Sequence, residues 1–249
     1  TRPVLKFNNV SFRYEGADED VLHDIDFTAM PGQTTAFIGS TGSGKSTLIN
    51  LIPRFFDVTK GSITIDDIDI REITQFDLRN HIGYVPQKGV LFSGTIASNL
   101  RYGDKTATDD DLSIAADVAQ ATGLLNQTPE GLYREISQGG SNVSGGQKQR
   151  LSIARALTRK PDIYIFDDSF SALDYKTDLA LRKALKNYTG DSTVLIVAQR
   201  INTIMQAEQI IVLDEGKVVG KGTHQELLKS CECYREIASS QLSEEELSL

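Results

Sequence analysis

The sequence predicts an α/β fold: a core with a mainly parallel sheet, an antiparallel β subdomain and an inserted α-helical subdomain. Three observations carry this expectation. A buried strand, "TTAFIG", runs into a Gly-rich turn and then a helix from about Lys45. From Pro161 onward, strands and helices alternate, as they do in units that build a parallel sheet. Between about Gln87 and Lys160 the pattern is nearly all helical. The expected partition is one domain over 1–249, with the β and core segments at about 1–86 and 161–249 and the helical piece at about 87–160.

The elements follow in order. "VLKFNNVSFRY" and "LHDIDFTAM" alternate apolar and polar residues, as half-buried antiparallel strands do. "GSITIDDIDI" alternates again and reads as a hairpin, and "HIGYVPQ" as another strand. "GTIASNL" and "TDDDLSIAADVAQATG" have helical spacing, the second with an acidic first turn that complements the helix dipole. "GGQKQRLSIARALTRKP" is a helix stopped by Pro161. The strands "IYIFD" and "STVLIVAQ" flank the helix "YKTDLALRKALKNYTG". "EQIIVLDEGKVVGKG" is a hairpin with a Glu-Gly turn, a last helix runs from about His224, and "SEEELSL" reads as a solvated acidic tail.

Composition bounds the function. The 249 residues are enough for a sizeable core. A formal net charge of −8 argues against nucleic acid as a partner, because affinity for its backbone comes from clustered Lys and Arg. Cys231 and Cys233 sit too close for a comfortable disulfide, and with His224 they fall short of the four ligands of a closed zinc site. A reduced protein is expected. No apolar run approaches the roughly 18 residues of a membrane span, and no signal-peptide pattern is present. The chain opens without Met and enters a strand almost at once, so a soluble domain cut from a longer polypeptide is expected.

"GSTGSGKST" matches G-x-x-x-x-G-K-[ST] between a buried strand and a helix, which makes the α/β core a P-loop NTPase core. The candidate nucleotide-binding set is Gly39, Ser40, Thr41, Gly42, Ser43, Gly44, Lys45, Ser46 and Thr47. Glycines let backbone N–H groups turn inward around a polyphosphate. Lys45 supplies a point charge to the terminal phosphates, Ser46 a ligand for Mg²⁺, and the helix its positive end. In "PDIYIFDDSFSALD", an apolar strand ends in Asp167 and Asp168. Alone, a strand-end Asp is more often a cap; downstream of a P-loop, Asp167 is the carboxylate that holds Mg²⁺ through water. Asp168 then stands where a hydrolase needs a base.

"NVSGGQKQRLSIARAL", with "SALD" and the phosphate loop, resembles the nucleotide-binding domain of ATP-binding cassette (ABC) transporters over essentially the whole chain. The resemblance implies ATP and Mg²⁺ as ligands. It implies that Ser144, Gly145, Gly146 and Gln147 form the signature motif, which binds the γ-phosphate of ATP held by a second nucleotide-binding domain. Free N–H groups at a helix start and small residues suit that task, although S-G-G-Q by itself is simply a helix cap. By the same resemblance Tyr14 stacks on adenine, Gln87 touches Mg²⁺ and senses the coupling helices of a transmembrane domain, and Asp174 crosses the dimer interface. Without it, Tyr14 is amphipathic packing, Gln87 a loop residue and Asp174 a helix N-cap. "YVPQKGVLFSGTIASNL" and "VLDEGKVVGKGTHQELL" resemble exporters, whose ATPase domain follows a membrane domain on one polypeptide and works at the cytoplasmic face of the membrane.

Two positions depart from the family pattern. Asp168 stands where Glu is usual, and Gln199 ("VAQR") where the switch loop carries His. Asp is one carbon shorter, so its carboxylate retracts by about 1.5 Å on the same backbone, and a misplacement of about 1 Å can cost around a hundredfold. Gln donates a hydrogen bond but carries no charge; losing one such stabiliser costs about 10²–10³ in rate. The two act on one transition state and are not additive. Lys45, Ser46 and Asp167 are intact, so ATP binding is expected to survive. The pattern is that of the degenerate-site subunit of a heterodimeric bacterial multidrug-type exporter, whose partner chain carries the Glu and the His. "SQGG" before Asn142 also departs from the charged "GERG" of exporters. The alternatives are a homodimeric exporter ATPase with modest activity, a non-hydrolytic ATP-gated dimerisation module, and a P-loop kinase, which has no use for the signature.

Overall fold

The computed structural model describes residues 3–248. β1 (Leu5–Phe12) and β2 (Leu22–Ala29) pair antiparallel with Leu5 opposite Ala29. The alternation of β1 breaks at Asn9, whose φ of 48° marks a bulge; the extra residue returns Val10 and Phe12 to the buried face. β3 (Thr34–Gly39) leads through the Gly-rich loop to α1 (Lys45–Asn50). β4 (Lys60–Ile65) and β5 (Ile68–Asp69) form the expected hairpin. Its two turn residues, Asp66 and Asp67, have φ of 50° and 65°, the two-residue turn whose twist matches the strands. These strands make a four-stranded sheet in the order β2-β1-β4-β5.

α2 (Gln75–Asn80) precedes β6 (Ile82–Val85). Then come β7 (Gly94–Thr95), α3 (Ile96–Arg101), α4 (Asp109–Val118), α5 (Thr122–Leu125), β8 (Glu135–Ile136) and α6 (Gly145–Thr158). α3 and α4 pack on α6. The short β7–β8 ladder within this stretch was not expected: two-residue strands are too short to show a period. β9 (Ile163–Asp167), α7 (Tyr175–Thr189), β10 (Thr193–Val197), α8 (Ile201–Ile204), β11 (Gln209–Asp214) and β12 (Lys217–Gly222) complete the alternating part.

The single helix expected from His224 is three: α9 (His224–Ser230), α10 (Glu232–Gln241) and α11 (Glu244–Leu247). The first break is Cys231, extended at φ −120°, whose buried Sγ lies over the β12 backbone at Val219. The acidic "SEEEL" is an exposed helical turn with Ser243 and Glu246 as a capping box. His224 Nδ1 pairs with the Tyr234 hydroxyl, and among the described residues no group of His, Cys, Asp or Glu could hold a metal by itself.

The central sheet has the order β12-β11-β3-β10-β9-β6, parallel except for β12. Both its faces are buried. Ala36, Ile38, Tyr164, Phe166, Val194 and Ile196 face the helices, while Phe37, Ile163, Ile165, Leu195 and Val197 face the antiparallel sheet and α1. This explains why β3, β9 and β10 read as continuous apolar runs: with a side-chain period of two, covering both faces needs every position apolar. The register pairs Val197 with Phe37 and Asp167, and Val85 with Phe166. The carboxyl ends of β3, β10, β9 and β6 therefore lie in a row, where an open α/β sheet places its ligand.

Candidate functional site

Each strand end delivers one part. β3 ends in Gly39, and the loop turns through Gly42 and Gly44 at φ of 81° and 103°. A Cβ on Gly44 would meet Leu22 Cδ2 at 2.8 Å, and one on Gly39 would meet the Leu213 carbonyl at 2.3 Å, so bulkier residues fit neither place. Ser43 is pinned from both sides: its N–H donates to Ser40 O, and its carbonyl accepts from Gly216 N at 2.9 Å. Its buried Oγ has no hydrogen-bond partner among the described residues. No side chain caps α1, whose N-cap is Gly44. Such a helix start leaves its first N–H groups for a ligand.

Lys45 is buried and donates to the Gly39 carbonyl, folding over the loop. Burial pulls its pKa down, against the pull of Asp168 and Asp167. The Tyr14 hydroxyl meets Thr47 Oγ1 at 2.8 Å, and its ring stands edge-on to Phe12 and Phe56. The loop from Thr41 to Thr47 shares one pocket with Val21 and Gln199.

β9 contributes the two carboxylates. Asp167 accepts from the Tyr84 hydroxyl at 3.1 Å. Burial pushes its pKa up, with Tyr84 and Lys45 opposing. Asp168 turns at φ 49°, its N–H donating to Val197 O at 2.7 Å. Its carboxylate accepts from Gln87 Nε2 at 3.1 Å. Its pKa is raised by burial and then by Asp167; Lys45, Gln199 and Arg200 pull the other way. The structure thus brings Gln87, Asp167, Asp168, Lys45 and Gln199 together from four strand ends. Ser46, Asp167 and the amide oxygen of Gln87 are the oxygen donors that these strand ends would offer a metal. That set suits Mg²⁺, which typically takes one or two carboxylates and fills its other positions with phosphate and water.

The Ser144–Gln147 segment stands apart from this cluster. Ser144 and Gln147 close a capping box on α6: Gln147 N–H donates to Ser144 Oγ at 3.1 Å, and Ser144 N–H to Gln147 Oε1 at 2.9 Å. Among the described residues no hydrogen bond joins this segment to Gly39–Thr47. Asp174 caps α7, accepting from the Thr177 N–H and hydroxyl at 2.8 and 2.9 Å.

Sequence reasoning missed three supporting residues. Tyr84 holds Asp167. Gln149, 2% exposed, accepts from Gly89 N–H at 2.7 Å and donates to Pro86 O at 3.0 Å. It ties α6 to the loop that carries Gln87, and its place on the inner face of a mostly apolar helix stripe was the available signal. Arg200 donates to Phe170 O and to the buried Asp178, tying the Gln199 segment to the loop after Asp168.

Comparison with known proteins gives the following. A family model described as ABC transporter matches residues 22–171. Over 96% of its length the chain is 52% identical to an uncharacterized ABC transporter ATP-binding protein of Mycobacterium tuberculosis, covering 41% of that protein. Over 98% of its length it is 41% identical to human ATP-binding cassette sub-family B member 6, covering 29% of it. A solved bacterial Atm1-family ABC exporter with ATP bound aligns with a TM-score of 0.93 at 37% identity, over 98% of this chain and 43% of that one. The chain spans less than half the length of each of these proteins.

Proposed function

This chain belongs to the ABC transporter family, and from that premise we propose that it is the ATPase domain of an exporter whose own nucleotide site is slow. Residues 39–47 bind the phosphates of ATP, Lys45 neutralises the terminal ones, and Tyr14 carries the adenine. Ser46, Asp167 and Gln87 hold Mg²⁺. When bound, the ion offsets charge that develops on the transferred phosphoryl group. Asp168 orients the attacking water and draws on its proton while the water oxygen bonds to the γ-phosphorus and the bond to the β-phosphate oxygen breaks. Gln199 donates a neutral hydrogen bond to the γ-phosphate.

The observation that carries the slow-site reading is that Asp168 lies beside the Gln199 segment: the Asp168 N–H donates to Val197 O at 2.7 Å, two residues before Gln199. The two departures from the family pattern thus lie at one place, which supports reading them together. A short base and an uncharged stabiliser act there on the same transition state. In the dimer, Ser144–Gln147 completes the site of a partner domain with Glu and His at these positions, and Asp174 crosses between the two.

The membrane domain docks on the exposed side of the Gln87 loop, at the cytoplasmic face. Phe92 and Tyr102 are exposed there, with ring centroids 5.0 Å apart. Arg155 lies over Phe92 at 5.6 Å, and its buried Nη1 lacks a partner among the described residues.

The test is turnover of the chain alone and of the Asp168→Glu/Gln199→His variant at high protein concentration. We expect the double variant to gain about a hundredfold. Turnover of the unmodified chain already in the tens per second sinks the slow-site reading in favour of a homodimeric ATPase. Mixing with a domain that carries Glu and His restores turnover, and Ser144→Arg in this chain removes it again.

A further inference from the structure

The segment Gln199-Arg200-Ile201 is held by a residue forty positions away in sequence. Gln241, the last residue of α10, donates from Nε2 to the Gln199 carbonyl at 2.7 Å and accepts at Oε1 from the Ile201 N–H at 2.8 Å. Arg200, between them, is extended at φ −91°, ψ 123°. In extended backbone, the carbonyl before a residue and the N–H after it point the same way, as on the pairing edge of an antiparallel strand. The side-chain amide of Gln carries a donor and an acceptor with the same spacing as a peptide group. Gln241 therefore stands in for a neighbouring strand at the point where β10 has run out of sheet.

The grip is firm at its base. α10 is anchored by Tyr234 and Ala238, both fully buried, and by Leu242 directly after Gln241. From the opposite side, Arg200 is held by Asp178 and by the Phe170 and Leu173 carbonyls. The Gln199 side chain has no hydrogen bond of its own among the described residues and is exposed at the phosphate-loop pocket. Its direction is set by the backbone alone.

We propose that Gln241 is a positioning residue for the phosphate-sensing side chain at 199, so that α10 sets the geometry of hydrolysis without touching nucleotide. The inference rests on the function proposed above only for the consequence to turnover; the clamp itself is independent of it. It acts in the reacting state and not on ATP capture, which belongs to residues 39–47.

The experiment compares Gln241→Ala and the isosteric Gln241→Glu. The first readout is amide hydrogen exchange in the unmodified 249-residue chain. With Gln241→Ala, exchange at Ile201 rises about fivefold or more, the worth of one hydrogen bond, while the β10 amides stay protected. The second is steady-state kinetics in the faster Asp168→Glu/Gln199→His background. Both variants lower kcat by about fivefold or more with KM for ATP unchanged. Glu keeps the bulk and the acceptor but cannot donate to the Gln199 carbonyl, so a loss of packing alone leaves it active. Unchanged Ile201 exchange in Gln241→Ala overturns the clamp. Full kcat in Gln241→Glu, or a change confined to KM, overturns the positioning role. If the unmodified chain fails to bind ATP, the proposed function fails, and the exchange result still decides the clamp.

Discussion

The phosphate loop and the start of α6 differ in what the rest of the chain does for them. Around Gly39–Thr47 four neighbouring strand ends converge: Lys45 donates to the Gly39 carbonyl, Asp167 accepts from Tyr84, and Asp168 accepts from Gln87. Around Ser144 the helix supplies its own cap. A Cβ on Gly145 would meet nothing within 4 Å, and one on Gly146 only the Ala172 carbonyl at 3.7 Å. A loop enclosed by its own chain can gather a ligand by itself. A capped, uncovered helix start with room for a close approach can act only on something brought to it, which fits a site completed between two chains.

The sharpest way to break this comparison is ATP binding by the isolated chain. Lys45→Ala should weaken it by about a hundredfold or more, the cost of removing a buried charge partner. Ser144→Arg should leave it within about twofold, since it touches none of the loop (for scale, tenfold is about 1.4 kcal/mol). Equal losses in the two variants would erase the distinction. A smaller effect separates the two regions by stability in urea. Gln149→Ala strands the Gly89 N–H and the Pro86 carbonyl and should cost about 1–3 kcal/mol, whereas Ser144→Ala removes only an exposed cap, about 1 kcal/mol.

The smallest effect is a pH dependence confined to the enclosed region. Burial raises the pKa of Asp167 and Asp168 above the unfolded value, so the folded state binds more protons in the window between the two values. The penalty is absent below the unfolded pKa, builds as pH rises through that window and is complete above the folded pKa. Asp168→Asn should therefore raise the melting temperature at pH 7, with the gain shrinking toward pH 4. A gain independent of pH would mean that charge burial is not its source.

Much of the fold was legible because its strongest elements are periodic. β3, β9 and β10 showed as apolar runs, and the "NVSGGQ" and "GSTGSGKST" segments showed by local chemistry. What escaped was short or long-range. The β7–β8 ladder has too few residues to show a pattern, and the breaks at Cys231 and Leu242 come from the fit of α9 and α10 onto β12. Asn9 looked like an ordinary strand residue until the bulge placed it on solvent. Tyr84 and Gln241 each read as unremarkable, because a side chain that holds a group distant in sequence has no local mark.

The sequence by itself determined the class of site: a strand, a glycine-bearing turn with Lys45 and Ser46, and a strand ending in Asp167 and Asp168. These are covalent neighbours, and neighbours need no folding to be read. Only the tertiary structure decided that Asp168 and the Gln199 segment lie side by side, that Ser144 makes no hydrogen bond to the phosphate loop among the described residues, and that α10 reaches back to hold the Gln199–Ile201 backbone. The physical reason is that parallel strands are joined by crossovers. Residues side by side at the carboxyl edge of the sheet are separated by a whole helix or more in sequence, and only the packed core brings them into register.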